Sequence, residues 1–123
     1  MKRKLLLFVA LVLIYSIVFS QGVEPTNGTG TPDDPYQIEN FDNLVWLSEN
    51  TSALNKSYIQ TADIDAIESA DLNNGEGFLP IGTYIPCFLE YAFSGVYDGK
   101  GFAISNLVIN RPDSTYQGLF GCI

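Results

Sequence analysis

Three spacings of apolar residues follow one another along the chain, and each predicts a different kind of element. Residues 5–19, LLLFVALVLIYSIVF, are apolar almost throughout and follow the cationic MKRK. That is the layout of a secretory leader over residues 1–20, with Val18 and Ser20 small enough to flank a cut before Gln21. The competing reading is a retained membrane anchor. A span needs about 20 apolar residues, whereas leader cores run about 7–15. The leader reading sends the rest of the chain out of the cell, secreted or held at its surface.

The second spacing is helical. It is preceded by residues 21–35, QGVEPTNGTGTPDDP, which have little apolar content and read as a linker into the fold. Tyr36 and Ile38 then alternate with polar neighbours, as in a short strand. Phe41, Leu44, Val45 and Ser48 recur at helical intervals, widened by Trp46 and Leu47. Asn40 is the expected N-cap, Asp42 lies in the first turn, and the helix should end near Asn50. About ten residues make a marginal helix alone, so it must lie against something, with Trp46 as a packing anchor. The Asn-X-Ser/Thr triplets at Asn27, Asn50 and Asn55 read as polar turns.

From residue 57 the spacing shortens to that of strands. SYIQTADIDAI puts Ile59 and Thr61 on one face, then moves the apolar parity to Ala62, Ile64 and Ala66. ESADLNNGEG reads as loop, and Pro80, Gly82, Pro86 and Gly95 keep the following strands short. In GFAISNLVIN, residues 101–110, Phe102 and Ile104 share one parity while Leu107 and Ile109 share the other. A straight strand would send these pairs to opposite faces. A corner at Ser105-Asn106 lets both face one core, and asparagine suits it because it tolerates left-handed backbone angles. Asp98-Gly99 and Lys100-Gly101 form the preceding turn. Short strands separated by such corners describe the coils of a β-solenoid whose neighbouring strands pair in parallel. A small antiparallel β-sandwich fits the same pattern, with Asp98-Gly99 as a hairpin turn.

Charge narrows the partners. Fourteen Asp and Glu stand against six Lys and Arg, a net charge of −8, and Lys2, Arg3 and Lys4 leave with the leader. No basic patch remains to release counterions from nucleic acid, so none is expected as a partner. Histidine is absent, which removes the usual general base and the commonest metal ligand. Asp63 and Asp65, two apart on a predicted strand, share a face. With Asp98 they are the candidate ligands for Ca²⁺, an oxygen-seeking cation and the one cofactor the residues suggest. The simpler reading is that these aspartates cap corners by accepting backbone N–H bonds. Glycoside hydrolysis needs two carboxyl groups facing across a cleft, about 5–10 Å apart. Asp63 and Asp65 would instead project side by side, and no catalytic residue is assigned. Cys87 and Cys122 are too few for a disulfide framework but could form one bridge in an oxidising compartment. Phe93, Tyr97 and Phe120 are expected to fill the core, at roughly 1.5–3 kcal/mol each on burial. Tyr84 and Tyr91 are expected at the surface.

The order of segments resembles the N-terminal region of bacterial secreted proteins that carry GLUG-type repeats. The matching pieces are GTGTPDDPYQI (28–38), TADIDA (61–66), PIG (80–82), FSGVYDGKGFAISNLVIN (93–110) and GLFG (118–121). The chain departs at Phe102, where histidine is common, and in YIPCFLEYA (84–92), inserted before Phe93. The resemblance implies a right-handed parallel β-helix closed at its N-terminal end by the short helix, in cell-surface, adhesin-like proteins. Such repeats also accompany some secreted peptidases. Residues 36–123 are accordingly expected to be all-β with one short helix, the cap and first coils of such a β-solenoid. Because the chain stops at Gly121-Cys122-Ile123 inside an apolar strand signal, further repeats are expected downstream. The expected role is structural or adhesive and non-catalytic, with a surface protein or glycan as ligand. The alternative is the N-terminal part of a carbohydrate-active β-helix enzyme, lyase or hydrolase, or of a secreted peptidase. Fold alone does not assign such chemistry.

Overall fold

The computed structural model describes residues 22–82 and 91–123. The expected leader, its cut site, Tyr84 and Cys87 lie outside the described residues. Among the described residues no helix is long and apolar enough to cross a membrane.

Strand β1 (Tyr36–Ile38) leads into helix α1 (Phe41–Glu49), as the apolar spacing predicts. Asn40 is extended and its side-chain oxygen accepts the Asn43 N–H at 3.0 Å, satisfying one of the donors a helix start leaves free. Phe41, Leu44, Val45 and Leu47 are buried. Trp46 is half-buried and packs edge-on to Tyr36, with ring centroids 5.8 Å apart. The helix ends where Asn50 turns extended and its amide donates to the Trp46 carbonyl at 2.8 Å. A 3-10 turn (Thr51–Ala53) follows, then β2 (Ser57–Gln60), β3 (Ile64–Asp65), β4 (Val96–Asp98) and β5 (Ile104–Ser105).

The strands form one sheet in the order β1-β2-β4 and a second of β3 and β5. All three ladders are parallel. Their register lines up Tyr36, Tyr58 and Tyr97 across the larger sheet. These rings stack in sequence, with centroids 5.7 Å and 6.5 Å apart. Tyr58, the middle ring, is fully buried and donates its hydroxyl to the Ala53 carbonyl at 2.6 Å. The PIG and GLFG segments meet through an isolated parallel bridge between Ile81 and Phe120. Phe93 is buried against Phe120, centroids 5.0 Å apart, and Tyr97 meets Phe120 edge-on, so this trio does pack in the core region.

Neither the right-handed parallel β-helix nor the antiparallel β-sandwich forms. The sheets are small and open, three strands and two, and no closed or solenoid sheet exists among the described residues. The parallel ladders overturn the sandwich. The molecule is also not all-β with a single helix, because most of the loop expected at 68–77 is wound into 3-10 turns over Ile67–Gly75. These turns kink where Leu72 is extended and Asn73 and Asn74 are left-handed. The density of breakers explains the short ladders. Gly77, Gly82, Lys100, Gly101 and Asn106 all hold positive φ, a conformation that does not continue a strand.

Parity also needs one correction. In β2 the residues facing the core are Tyr58 and Gln60, while Ile59 is half-exposed. Register with the aromatic ladder overrides the apolar character of Ile59. Ile64 and Ala66 are buried as the pattern predicts. The expected corner is present: β5 stops at Ser105 and Asn106 has φ 58. Ile104, Leu107 and Ile109 all pack against the core across that corner, whereas Phe102 is 43% exposed. Asn106→Ala should therefore cost about 1–2 kcal/mol for a left-handed alanine, plus the bond from its amide to Asp65 at 3.0 Å. Asn106→Gly loses that bond but not the backbone freedom. Urea midpoints should rank Gly above Ala; equal losses would show that the backbone angle is not what asparagine supplies.

The stretch expected as a linker carries no helix or strand over 22–35, yet it is fastened to the fold. Val23 N–H donates to Asp42, Gln37 N–H to Asn27, and Ser57 N–H to Gly30, all at 2.9–3.0 Å between N and O. Gly28 has φ 86, and a Cβ there would lie 1.9 Å from the Pro35 carbonyl oxygen. Close approach of two backbones fixes this loop beside β1.

Candidate functional site

The sequence-predicted carboxylates all accept backbone N–H bonds, Asp65 and Asp98 within local turns and Asp63 across to a distant segment. Asp63 accepts the Ala103 N–H at 2.8 Å, tying the start of β3 to the segment before β5. Asp65 accepts from the Ile67 N–H at 3.1 Å and from the Asn106 amide at 3.0 Å. Asp98 accepts the Lys100 N–H at 2.9 Å and meets the Lys100 ammonium at 3.2 Å, and these contacts hold its carboxyl below the usual range. Lys100 itself is left-handed, so Asp98 holds the tight turn in which that residue sits. Among the described residues no three His, Cys, Asp or Glu side chains gather as a metal cage. Cys122 is half-buried, while Cys87 and therefore the expected pairing lie outside the described residues. Tyr91 is half-buried, with part of its surface open to solvent.

Two polar features escape the sequence pattern. Gln60 is buried in β2, and all of its polar capacity is directed inward. Its amide donates to the Ala62 and Ala103 carbonyls at 2.9 and 3.1 Å, and its oxygen accepts the Tyr97 hydroxyl at 3.1 Å. This one side chain ties the larger sheet to the residues just before β3 and β5. Burial pushes the Tyr97 hydroxyl up to about 12 and raises Tyr58 further, where the Tyr36 hydroxyl and the Glu24 carboxylate add to the effect. Both phenols stay neutral donors at any physiological pH.

The second feature is a cavity of about 330 Å³ beside Arg111, walled by Leu79, Pro80 and the loop 113–117. Arg111 is drawn in, with 16% of its side chain exposed, and donates from Nη1 to Glu76 Oε2 at 3.0 Å. The Asn110 N–H and the Glu76 carbonyl, 2.8 Å apart, hold the two segments together. Arg111 Nε is buried without a partner, a state that costs about 1–3 kcal/mol. Tyr116, 52% exposed on the cavity wall, has φ 57, unusual for a bulky side chain. The sequence signal available for this site is that Arg111 is the one arginine following the leader.

A second cavity, about 320 Å³, lies between the start of α1 and the 3-10 turns and is lined by Asn40, Phe41, Asp42, Asp65, Ile67 and Glu68. Its three carboxylates make it a poor host for an anion, and its apolar wall is slight.

No family model and no solved structure matches the chain. Two curated proteins do. One is halomucin of Haloquadratum walsbyi, 44% identical over 97 residues, which are 76% of this chain. The other is a Gly-rich membrane protein of Evansella cellulosilytica, 32% identical over 119 residues, or 90% of this chain. The chain spans 1% of the first and 12% of the second. It is thus similar to short segments of a mucin-named protein and of a membrane protein. Neither name denotes an enzyme.

Proposed function

We propose that this chain is a non-catalytic module of a secreted or cell-surface GLUG-repeat protein, with a structural or adhesive role. The observation that carries the reading is its likeness to short segments of a much longer mucin-named protein and of a membrane protein. The geometry supports it, because the aspartates that could have served chemistry accept backbone N–H groups, Asp65 and Asp98 in turns and Asp63 from the segment before β5. Polar groups at the centre of the fold are likewise satisfied internally, as Gln60 shows. Such a module offers loops and edges to a ligand and keeps its interior closed.

The test is location and inertness together. The full chain, tagged at its C-terminus and produced in a bacterial host, should be found in the medium or be removed from intact cells by added protease. Incubated with acidic polysaccharides, it should release neither reducing nor unsaturated ends. Retention of the tagged chain in the cytoplasm, or turnover of the polymer, overturns the reading.

A further inference from the structure

We propose that the cavity beside Arg111 binds the carboxylate of a uronic-acid residue in an acidic glycan. The reading rests on the surface-module assignment and names the ligand class for it. A guanidinium presents its five N–H groups in a rigid fork, and a carboxylate fits two neighbouring donors of that fork at once. Here one donor, Nη1, is held by Glu76, while Nε lies buried with no acceptor. Buried donors are paired almost without exception in folded proteins, so an orphan beside a cavity marks the place of an absent acceptor. The acceptor that matches an arginine edge is a planar anion.

The walls select the kind of anion. Ser114 and Thr115 supply hydroxyls, Asp113 a carboxylate and Gln117 an amide whose nitrogen also donates to the Thr115 carbonyl at 2.8 Å, all on the exposed loop. Those groups suit the hydroxyls of a sugar ring, while Tyr116 offers an aromatic surface for its C–H face. A volume of about 330 Å³ suits a ligand of monosaccharide size. A glutamate side chain has the same carboxylate but none of the ring hydroxyls. The left-handed backbone at Tyr116 is the kind of strain that gathers at ligand clamps. Nε is covered in this structure, so entry of the carboxylate requires the exposed loop from Pro112 to Gln117 to move aside.

Isothermal titration of the intact chain with oligogalacturonate, with neutral oligogalactose and with hexaglutamate tests the site. Oligogalacturonate alone should bind. Arg111→Lys, which keeps the charge and loses the fork, should weaken binding about tenfold or more. Should that variant lose its fold, Glu76→Gln still decides: freeing the guanidinium from its internal carboxylate should tighten uronate binding several-fold and leave neutral sugar unbound. Equal binding of galactose and galacturonate, preference for hexaglutamate, or a Glu76→Gln variant no tighter than the parent overturns the site. A chain displayed on the cell surface that binds no uronate sinks this inference while leaving the surface module standing.

Discussion

Replacing Tyr58 by alanine is expected to cost about 3–5 kcal/mol, the range for emptying a buried aromatic position. The ring is 1% exposed and stands between Tyr36 and Tyr97, so its loss leaves both stacked neighbours facing a hole. Small domains have only about 5–15 kcal/mol in all, and this variant should be largely unfolded at modest urea. Tyr58→Phe keeps the ring and deprives the Ala53 carbonyl of its donor, which should cost about 1–3 kcal/mol. The same residues set an alkaline limit. Both phenols titrate higher in the fold than in the unfolded chain, where they ionise near pH 10. The stability they confer is complete below that pH and declines from about 10 towards about 12 as the unfolded state alone gives up its protons. Circular dichroism melts between pH 8 and 11 should show the midpoint level at first and then falling. A midpoint level through pH 11, or a Tyr58→Ala variant as stable as the parent, contradicts this account of the core.

Gly95→Ala is expected to be nearly as damaging, about 3 kcal/mol, for a different reason. A Cβ at Gly95 would lie 1.9 Å from the Lys56 carbonyl oxygen, and two further Lys56 backbone atoms lie at 3.0 Å. All three atoms are backbone, so no side chain can rotate away. That same Lys56 oxygen accepts the Val96 N–H at 3.1 Å, and the Gly95 N–H donates to Leu54 at 2.9 Å. Relief of the clash must therefore pull β4 from β2. Gly99→Ala is the control, since its new methyl would meet nothing nearer than the Gln60 side chain at 4.0 Å. It should stay within about 0.5 kcal/mol of the parent. Chemical denaturation of the pair reads the difference; two equal losses would show that glycine is needed for something other than close approach.

Local features of this fold were legible from residue order. The N-cap at Asn40, the buried face of α1, the inward Ile64 and Ala66, and the left-handed corner at Asn106 each depend on neighbours within a few positions. Pattern alone could not assign Tyr58 and Gln60 to the core. Their orientation depends on Tyr36 and Tyr97, which belong to other strands, and on carbonyls at Ala62 and Ala103 that satisfy the Gln60 amide. The extent of the sheets was hidden for a related reason. Spacing shows that strands are short, but only pairing shows that they assemble into two open sheets. Asp63, Asp65 and Asp98 are visible in the sequence as oxygen donors, and the contacts of Asp65 and Asp98 are those of turn capping, whereas Asp63 accepts from a residue forty positions on. Arg111 stands in the sequence only as one of three basic residues after the leader, with no neighbour that marks it as drawn inward. Its significance depends on Glu76, thirty-five residues away.

The wide separation of partners within these ladders has a kinetic consequence. Asp63 bonds to a residue 40 positions on, Asp65 to one 41 positions on, and Gln60 to one 43 positions on. Loops of that length must close before any of these bonds forms, so the search is long and the reward comes late. Refolding from urea should run on the millisecond-to-second scale of topologies dominated by distant pairing. The segment around α1 can collapse early. The partners of β4 and β5 must wait, and in that interval the half-made molecule is open to stray association and to proteases.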